Sequence, residues 1–307
     1  MGEQPVLRQR LQSLLATDPP RSKSLLVTIL GDSITPHGGT VMLAGLIKLL
    51  VPFAINHRLV RTNVHRLQHD GWLVSRRQGR LSAYALTPQG LRRFTNAYKR
   101  VYAPPEQFWD GSWTLVSFPI AGNDPAIRKD QIQELAWEGF GAMAPSIFVH
   151  PRANAATLRE ILSSTKKEEV FVLQGRILEQ LSTVSQREFV HRCWDLESLA
   201  KGYQSFLNRF QPIAAMGELR GMATDDAFVL RTLLIHHFRR VTLHDPLLPI
   251  ELLPEDWPGY VAYEFCRTLY KRSYRRAELF LRESLDTPES RLPDEAPHFH
   301  ERFGGLD

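Results

Sequence analysis

The basic side chains between residues 56 and 70 are spaced to lie together on one face of a helix. At about 100° per residue, Val60, Val64 and Leu67 fall on one side. The opposite side carries groups that can bind phosphates and the edges of bases: Arg58, Arg61, Thr62, His65, Arg66 and His69. Exposed helix faces usually mix acids and bases, whereas this face has no carboxylate. The pattern therefore predicts a surface that binds a polyanion.

A basic hairpin follows this helix directly. Asp70-Gly71 is a stop signal, and 72–86 predicts two short strands around a turn at Gly79-Arg80. The hairpin carries three arginines: Arg76, Arg77 and Arg80. A basic helix followed by a basic hairpin is the order of a winged helix-turn-helix, in which the helix enters the major groove of DNA and the wing lies on phosphates. The alternative is a basic helix and hairpin on a surface with some other role.

The charge of the 307-residue chain is distributed unevenly. The formal net charge is +5, yet residues 1–103 hold 15 Lys and Arg against 4 Asp and Glu, a net charge of +11. The rest of the chain has a net charge of −6. A concentrated cationic section attracts nucleic acid more strongly than the overall charge suggests. With 43% hydrophobic residues, the chain has enough apolar surface for two or three packed domains.

Several classes of protein are disfavoured by composition. The longest apolar runs, such as 41–55, are broken well short of a bilayer span, and residues 1–20 have no long apolar core typical of a signal peptide. Cys193 and Cys266 are far apart and lack the spacing of metal ligands. We therefore expect a protein of the reducing cytoplasm that does not associate with membranes.

The first section, residues 1–103, reads as three helices, a hairpin and a connector helix. The predicted helices are 22–30, 41–51 with a cap at Thr40, and a third that begins after Asn56; 31–39 is a predicted loop and 91–102 the connector. Residues 104–184 have a βαββαβ order that predicts a ferredoxin-like sheet. Residues 185–307 are mainly helical, with helices predicted over 187–210, 225–241 and 257–284. The expected fold class is a multidomain α+β protein.

Motifs in all three sections resemble the PaaX family, which represses phenylacetate catabolism operons. The motifs are Gly31-Asp32-Ser33 with His37-Gly38-Gly39, Arg61-Thr62 with Arg66-Leu67 and Gly71-Trp72-Leu73, Trp109-Asp110-Gly111, Gly139-Phe140-Gly141-Ala142 with Ala144-Pro145-Ser146, His236 and Arg239-Arg240-Val241 with Asp245–Pro249, and 302–306. The resemblance implies a homodimeric repressor that binds double-stranded operator DNA, needs no cofactor, and is released by phenylacetyl-coenzyme A or a related aryl thioester.

On this basis the candidate contacts can be assigned to residues. We expect Arg61, Thr62, His65 and Arg66 at base edges and adjacent phosphates, Arg58 on the backbone, and the three hairpin arginines on phosphates. The acidic remainder would supply dimerisation and the effector site, and we expect both in the helical C-terminal section, 185–307.

The candidate effector residues are His236, Arg239 and Arg240, because arginine forks suit the phosphates of coenzyme A. A structural cap at the end of a helix, or a pairing with Asp245, is the alternative for the two arginines.

Some residues also suggest other kinds of chemistry. Gly31-Asp32-Ser33-Ile34 looks like the nucleophile block of GDSL-type hydrolases, with Ser33 as nucleophile, but the Asp-x-x-His partner of that family is missing near the C-terminus. His298 with His300, or His236 and His237 with His244 and Asp245, were considered as metal ligands, and we expect no metal site. An RNA-binding or nuclease module on the central sheet lacks a convincing carboxylate or aromatic platform.

Overall fold

The structure is a computed structural model that describes most of the chain. The described residues are 3–78, 81–105, 108–118, 125–163, 170–217, 219–286 and 291–306. Within them, no helix combines the length and the apolar character needed to cross a bilayer. The chain forms two compact units: one comprises 1–104, 203–243 and 261–307, and the other comprises 105–202 and 244–260.

Helices and strands alternate in the first third of the chain and in the middle, and helices dominate the last third. The first third contains α1 (Glu3–Thr17), α2 (Ser22–Ile29), β1 (Thr40–Met42), α3 (Leu43–Leu50), α4 (His57–His69), β2 (Leu73–Gln78), β3 (Leu81–Leu86) and α5 (Pro88–Tyr102). The middle contains β4 (Trp113–Ser117), α6 (Pro125–Trp137), β5 (Gly141–Ala144), β6 (Ile147–His150), α7 (Ala155–Ser163) and β7 (Phe171–Gly175). The remainder contains α8 (Gln186–Cys193), α9 (Leu196–Ala214), α10 (Thr224–Thr242), α11 (Pro258–Leu285) and α12 (Pro297–His300).

The small sheet of the first unit has three antiparallel strands in the order β1-β3-β2. The β2–β3 hairpin was predicted, and β1 was not. The predicted helix 41–51 with its cap at Thr40 is wrong at its start, because Thr40–Met42 pairs with Ala83–Ala85 of β3. An apolar run with β-branched residues suits a strand as well as a helix, and pairing with the open edge of β3 decides in favour of the strand.

The predicted loop 31–39 is a compact buried turn. A π-helical turn, Leu30–Ile34, extends α2, and a short 3₁₀ turn, Thr35–His37, follows it. Asp32, Ser33 and His37 are all buried although they are polar. The prediction of a loop failed because most of the partners of these side chains lie more than 190 residues further along the chain.

Asp32 is the centre of a buried ionic cluster in the first unit. Arg302 donates to its carboxylate at 3.0 Å, and Nε of Arg231 lies 3.1 Å from it. The hydroxyls of Tyr102 and Tyr270 donate to the same carboxylate at 2.6 and 3.1 Å. The two guanidinium groups and both hydroxyls thus come from α5, α10, α11 and the C-terminal segment. They join these elements to the end of α2.

A second carboxylate extends this cluster. Glu278 on α11 pairs with Arg231 and lies 2.9 Å from Nε2 of His37, whose Nδ1 lies 2.6 Å from the carbonyl oxygen of Pro293. Burial would raise the pKa of Glu278, but the charge of Arg231 and the contact with His37 lower it to about 2. Glu278 is therefore ionised at neutral pH, and it fixes α11 to the turn after α2.

The sheet of the second unit has the predicted ferredoxin-like order. Its strands lie in the order β5-β6-β4-β7, all pairs are antiparallel, and α6 and α7 complete the βαββαβ sequence. Val116, Phe118, Leu135 and Phe148 are buried in the core between sheet and helices. The predicted helix 187–210 is two helices, since the chain leaves the helix at Trp194 and Asp195 accepts from the amide of Ser198 at the start of α9.

The two compact units divide the chain differently from the predicted sections 1–103, 104–184 and 185–307. Most of the last section belongs to the same unit as the first, because α10 packs on α1, α2 and α5. Residues 185–202 and 244–260 group with the central sheet instead. Indole Nε1 of Trp194 donates to the carbonyl oxygen of Gly139 at 2.8 Å, which ties this stretch to that unit. No sequence pattern indicated this exchange.

Replacing Asp32 by asparagine tests how far the first unit depends on its buried carboxylate. Asp32→Asn keeps the size of the side chain but leaves Arg231 and Arg302 buried without this counter-charge. We expect the free energy of unfolding to fall by about 3–5 kcal/mol, measured by urea titration. The matched control is Asp70→Asn, which removes an exposed partner of Lys23 and should leave the unfolding midpoint nearly unchanged. Equal effects of both changes would contradict the central role of Asp32.

Candidate nucleic-acid interface

The local sequence positions α4 in the way its pattern predicts. Asn56 caps the helix, since its side-chain oxygen accepts from the amide of Leu59 at 2.9 Å. Val60, Val64 and Leu67 are almost completely buried. The predicted cap and the predicted apolar face of α4 are both confirmed.

The opposite face of α4 is open to solvent. Its members are all exposed: Arg58, Arg61, Thr62, His65, Arg66 and His69. Thr62 donates to the carbonyl oxygen of Arg58 within the helix. No ion pair involves Arg58, Arg61 or Arg66 within the part of the chain that the structure describes. Their guanidinium groups are free to bind an external anion, and their role at base edges stays a prediction.

Asn63 is a buried polar residue on α4 that the sequence analysis did not single out. Its side-chain amide donates to the hydroxyl of Ser22, the first residue of α2, at 2.8 Å. The bond fixes the orientation of α4 relative to α2. A polar residue on the apolar side of the helical pattern was the available signal, because a buried amide needs a partner.

The hairpin presents one of its three predicted arginines within the described side chains. Arg76 is exposed on β2 and is paired with Ala83 of β3. Arg77 follows opposite Ser82 in the backbone, but its side chain lies outside the described residues, and Arg80 lies wholly outside them. The structure therefore locates the hairpin next to α4, and the phosphate contacts of these arginines stay predictions.

The three candidate effector residues lie in the last two turns of α10. His236 is buried, and its Nδ1 lies 3.0 Å from the hydroxyl of Thr28 on α2. Arg239 donates through Nε to the same hydroxyl at 2.8 Å and through Nη2 to the carbonyl oxygen of Ser24 at 2.9 Å. Arg240 is exposed. Two of the three residues thus form a joint between α10 and α2, which we call the Thr28 joint.

Burial determines the electrostatics of this joint. Burial, followed by the charge of Arg239, lowers the pKa of His236 to about 3. Burial, followed by the charge of Arg209, lowers the pKa of the neighbouring His237 to about 4. Burial also lowers the pKa of Arg239, to about 10. At neutral pH both histidines are neutral and Arg239 is the cation of the joint.

The residues weighed for catalysis and metal binding have structural partners. Ser33 is completely buried, and its hydroxyl accepts from Nη2 of Arg231 at 2.8 Å. Among the described residues, His37, Glu278 and Glu295 bring possible ligand atoms within 4.8 Å of one another. Glu278 is already paired with Arg231, and Glu295 with Arg282, so these cations occupy the carboxylates that a metal would need. The histidines weighed from the sequence are not part of this group.

Comparison with known proteins identifies the family. Three family profiles match in order: "PaaX-like protein" over residues 21–90, "PaaX protein central Cas2-like domain" over 106–188, and "PaaX-like protein C-terminal domain" over 194–283. The chain is also 34% identical to the transcriptional repressor PaaX of Escherichia coli strain K12 over 300 residues, which are 97% of this chain and 94% of that protein. The chain belongs to the PaaX-like family.

Membership of the PaaX-like family confirms the resemblance found in the sequence and settles the broad class. The family is one of transcriptional repressors rather than enzymes, so the hydrolase alternative with Ser33 as nucleophile is wrong. Ser33 cannot act as a nucleophile because it is buried in the ionic cluster.

Among solved structures, the uncharacterized protein Rv0674 from Mycobacterium tuberculosis is similar to this chain. The TM-score is 0.51 and the sequence identity is 21%, and the match covers 81% of this chain and 96% of that protein. That likeness concerns the fold alone.

The buried histidines predict how stability depends on pH. Unfolded histidines bind protons near pH 6.5, whereas His236 and His237 do so only near pH 3 and 4 in the folded protein. Below pH 6.5 the unfolded state therefore binds more protons than the folded state. As the pH is lowered from 6.5, the free energy of unfolding should fall by up to about 1.4 kcal/mol per pH unit for each histidine. Urea titrations at pH 7.5, 6.5 and 5.5 measure this slope.

His236→Gln should make that slope shallower, because it removes one of the two buried groups. His65→Gln, on the exposed face of α4, is the matched control and should leave the slope unchanged. An unaltered slope in the His236 variant would contradict the assignment of a buried neutral imidazole to the Thr28 joint.

Proposed function

We propose that this protein represses phenylacetate catabolism genes in the cytoplasm by binding operator DNA through a winged helix-turn-helix formed by α2, α3, α4 and the β2–β3 hairpin. The observation that carries the proposal is the outward face of α4. It presents three arginines, a threonine and two histidines without a carboxylate, while the opposite face is packed in the core. An acid-free exposed helix next to a basic hairpin suits the major groove and the flanking phosphates.

The contacts divide into base recognition and backbone positioning. Arg61 and Arg66 can each form bidentate hydrogen bonds with the acceptor atoms at the major-groove edge of guanine, and Thr62 and His65 lie beside them. Arg58, in the first turn of α4, and Arg76 on β2 would bind phosphates. Arg77 and Arg80 are proposed as further phosphate contacts on sequence grounds.

A homodimer is supported by the edge of the central sheet. Strand β7 is hydrogen-bonded only to β4 among the described strands, and Phe171, Val172 and Leu173 are all exposed along it. An apolar edge strand pairs readily with another strand, and the same edge on a second copy offers a matching surface across a two-fold axis. We therefore assign dimerisation to the central sheet rather than to the C-terminal helices proposed from the sequence.

The effector, phenylacetyl-coenzyme A or a related aryl thioester, is proposed to act on the end of α10. Arg240 is the candidate residue that faces solvent and can meet a phosphate of the ligand. Arg239 and His236 would transmit the change, because the Thr28 joint holds α2 and the bond from Asn63 to Ser22 holds α4 on α2. A ligand that favours a shifted α10 would move both recognition helices of a dimer away from their half-sites.

Substitutions on α4 and on the hairpin should separate recognition from phosphate binding. Arg61→Ala and Arg66→Ala should each cost about 1–3 kcal/mol of operator binding and relax sequence preference. Arg76→Ala should weaken binding to operator and random duplexes alike and lower the salt slope by about one ion. Fluorescence anisotropy with a labelled duplex from the region upstream of the regulated operon measures both effects.

Arg192→Ala, an equal charge change on α8 in the other unit, is the matched control and should leave binding unchanged. Unchanged operator affinity in all three interface variants would overturn the assignment of α4 and the hairpin.

Release by the effector gives a separate test. Phenylacetyl-coenzyme A should dissociate the complex, whereas free phenylacetate should not, since it lacks the phosphates and adenine of the thioester. Arg240→Ala should raise the concentration needed for half-release at least about 10-fold with normal DNA affinity, as expected for a lost charged contact of about 1.4 kcal/mol or more. Arg239→Ala should weaken induction as well and should also reduce stability, because it breaks the Thr28 joint. Calorimetry that shows normal thioester binding by the Arg240 variant would remove this residue from the site.

A further inference from the structure

Helix α5, which follows the hairpin, has the same charge pattern as α4. It contains four basic residues and no acid between Pro88 and Tyr102. Phe94, Val101 and Tyr102 are buried, whereas Arg92, Arg93 and Lys99 are exposed. Like charges on neighbouring turns of a helix repel one another and are usually interspersed with acids. A cationic face of this kind is favourable where an external polyanion supplies the counter-charge.

The first turn of α5 is fixed to the turn that ends α4. The hydroxyl of Thr87 donates to the carbonyl oxygen of Gly71 at 2.6 Å, and its amide donates to the carbonyl oxygen of Trp72 at 3.0 Å. A side chain on Gly90 would come within 2.5 Å of that same carbonyl oxygen, so this close approach requires a glycine. The end of α4 and the start of α5 thus form one rigid piece.

Trp72 also positions a cation of α5. The guanidinium of Arg93 lies over the indole ring of Trp72, 4.8 Å from the ring centroid. Phe94 supports the ring from the side, with its centroid 5.4 Å away. A guanidinium stacked on a ring has already lost side-chain freedom before it binds a ligand. Its N–H groups stay available at the edge, which suits a bidentate hydrogen bond to a phosphate. In the described part of the chain, no carboxylate pairs with Arg92, Arg93 or Lys99.

We propose that α5 is a third DNA-contacting element, in which Arg93, held by Trp72, and its neighbour Arg92 bind the phosphate backbone beside the segment read by α4. This inference rests on the proposed DNA-binding function of α4 and the hairpin. Arg92 and Lys99 are seven positions apart on one side of the helix, so their row is about 10 Å long. An extended row fits successive phosphates of a duplex, whereas one small anion needs cations that converge on a point. Phosphates carry no sequence information, so α5 adds affinity without specificity.

The test is the salt dependence of DNA binding by the full-length protein. Arg92→Gln and Arg93→Gln should each weaken binding about 3- to 10-fold, equally for an operator duplex and for a random duplex of the same length. Each change should lower the slope of log K against log salt by about 0.9. Arg192→Gln on α8 is the matched control, since it removes the same charge from an exposed helix of the other unit and should change neither value.

A further variant tests the role of Trp72 as a platform. Trp72→Leu should weaken binding about as much as Arg93→Gln, and the double variant should be no weaker than either single variant, because both changes remove the same contact. Trp72→Phe keeps an aromatic face and should restore most of the affinity. Urea unfolding of each variant checks that the fold is retained; if Trp72→Leu is unfolded, the Phe variant and the two glutamine variants decide.

Arg61→Ala, measured in parallel, separates this inference from the proposed function. If Arg61→Ala loses operator binding while Arg92→Gln and Arg93→Gln keep normal affinity and salt slope, α5 is not a DNA contact and the α4 interface stands. If the α5 variants weaken binding and Arg61→Ala does not, the third element is supported and the role assigned to α4 fails.

Discussion

A single buried carboxylate, that of Asp32, holds together the elements around the proposed DNA-binding helices. It receives two guanidinium groups and two tyrosine hydroxyls that come from four different elements of the chain. Bringing such charges out of water is costly, and the attraction between them offsets that cost only when every partner is in place. The main effect of the cluster is therefore to specify one arrangement of α2, α5, α10 and α11. Its net contribution to the free energy of unfolding is the smaller effect. Any displacement of these helices leaves a charge buried without its partner.

This constraint explains why the repressor's proposed input and output lie in one compact unit. The joint at Thr28 and the bond from Asn63 to Ser22 form a short route from the end of α10 to α4. These contacts are hydrogen bonds with directional demands, so a small rotation of α10 carries α2 with it, and α4 follows α2. A route of this kind converts a ligand's preference for one position of α10 into a preference for one position of α4.

The sequence predicted those parts of the fold whose signals are local. The face of α4 follows from helical spacing, its start from Asn56, and the hairpin from a Gly-Arg turn between alternating residues. The order of the central sheet followed from the same kind of pattern. Residues 41–51 are apolar without a clear period, so their sequence predicts a helix across the residues that form strand β1. The partners of Asp32 were out of reach, since Arg231 and Arg302 are about 200 and 270 residues away and their own neighbours give no sign of a buried acid. The effector residues were chosen as adjacent arginines, and only the structure separates Arg239, which contacts α2, from Arg240, which faces solvent.

The position of Arg302 has a consequence for the order in which the protein matures during synthesis. The core around α2 and α5 lacks an essential cation until residue 302 has left the ribosome, although α4 was made more than 200 residues earlier. The other unit ends at residue 260 and can be completed first. Domains usually become competent in the order in which they are translated, and long-range contacts slow the one that needs them. Here α4 is translated early but lies in a unit that is completed late, so an incomplete chain would not compete with the mature repressor for its operator.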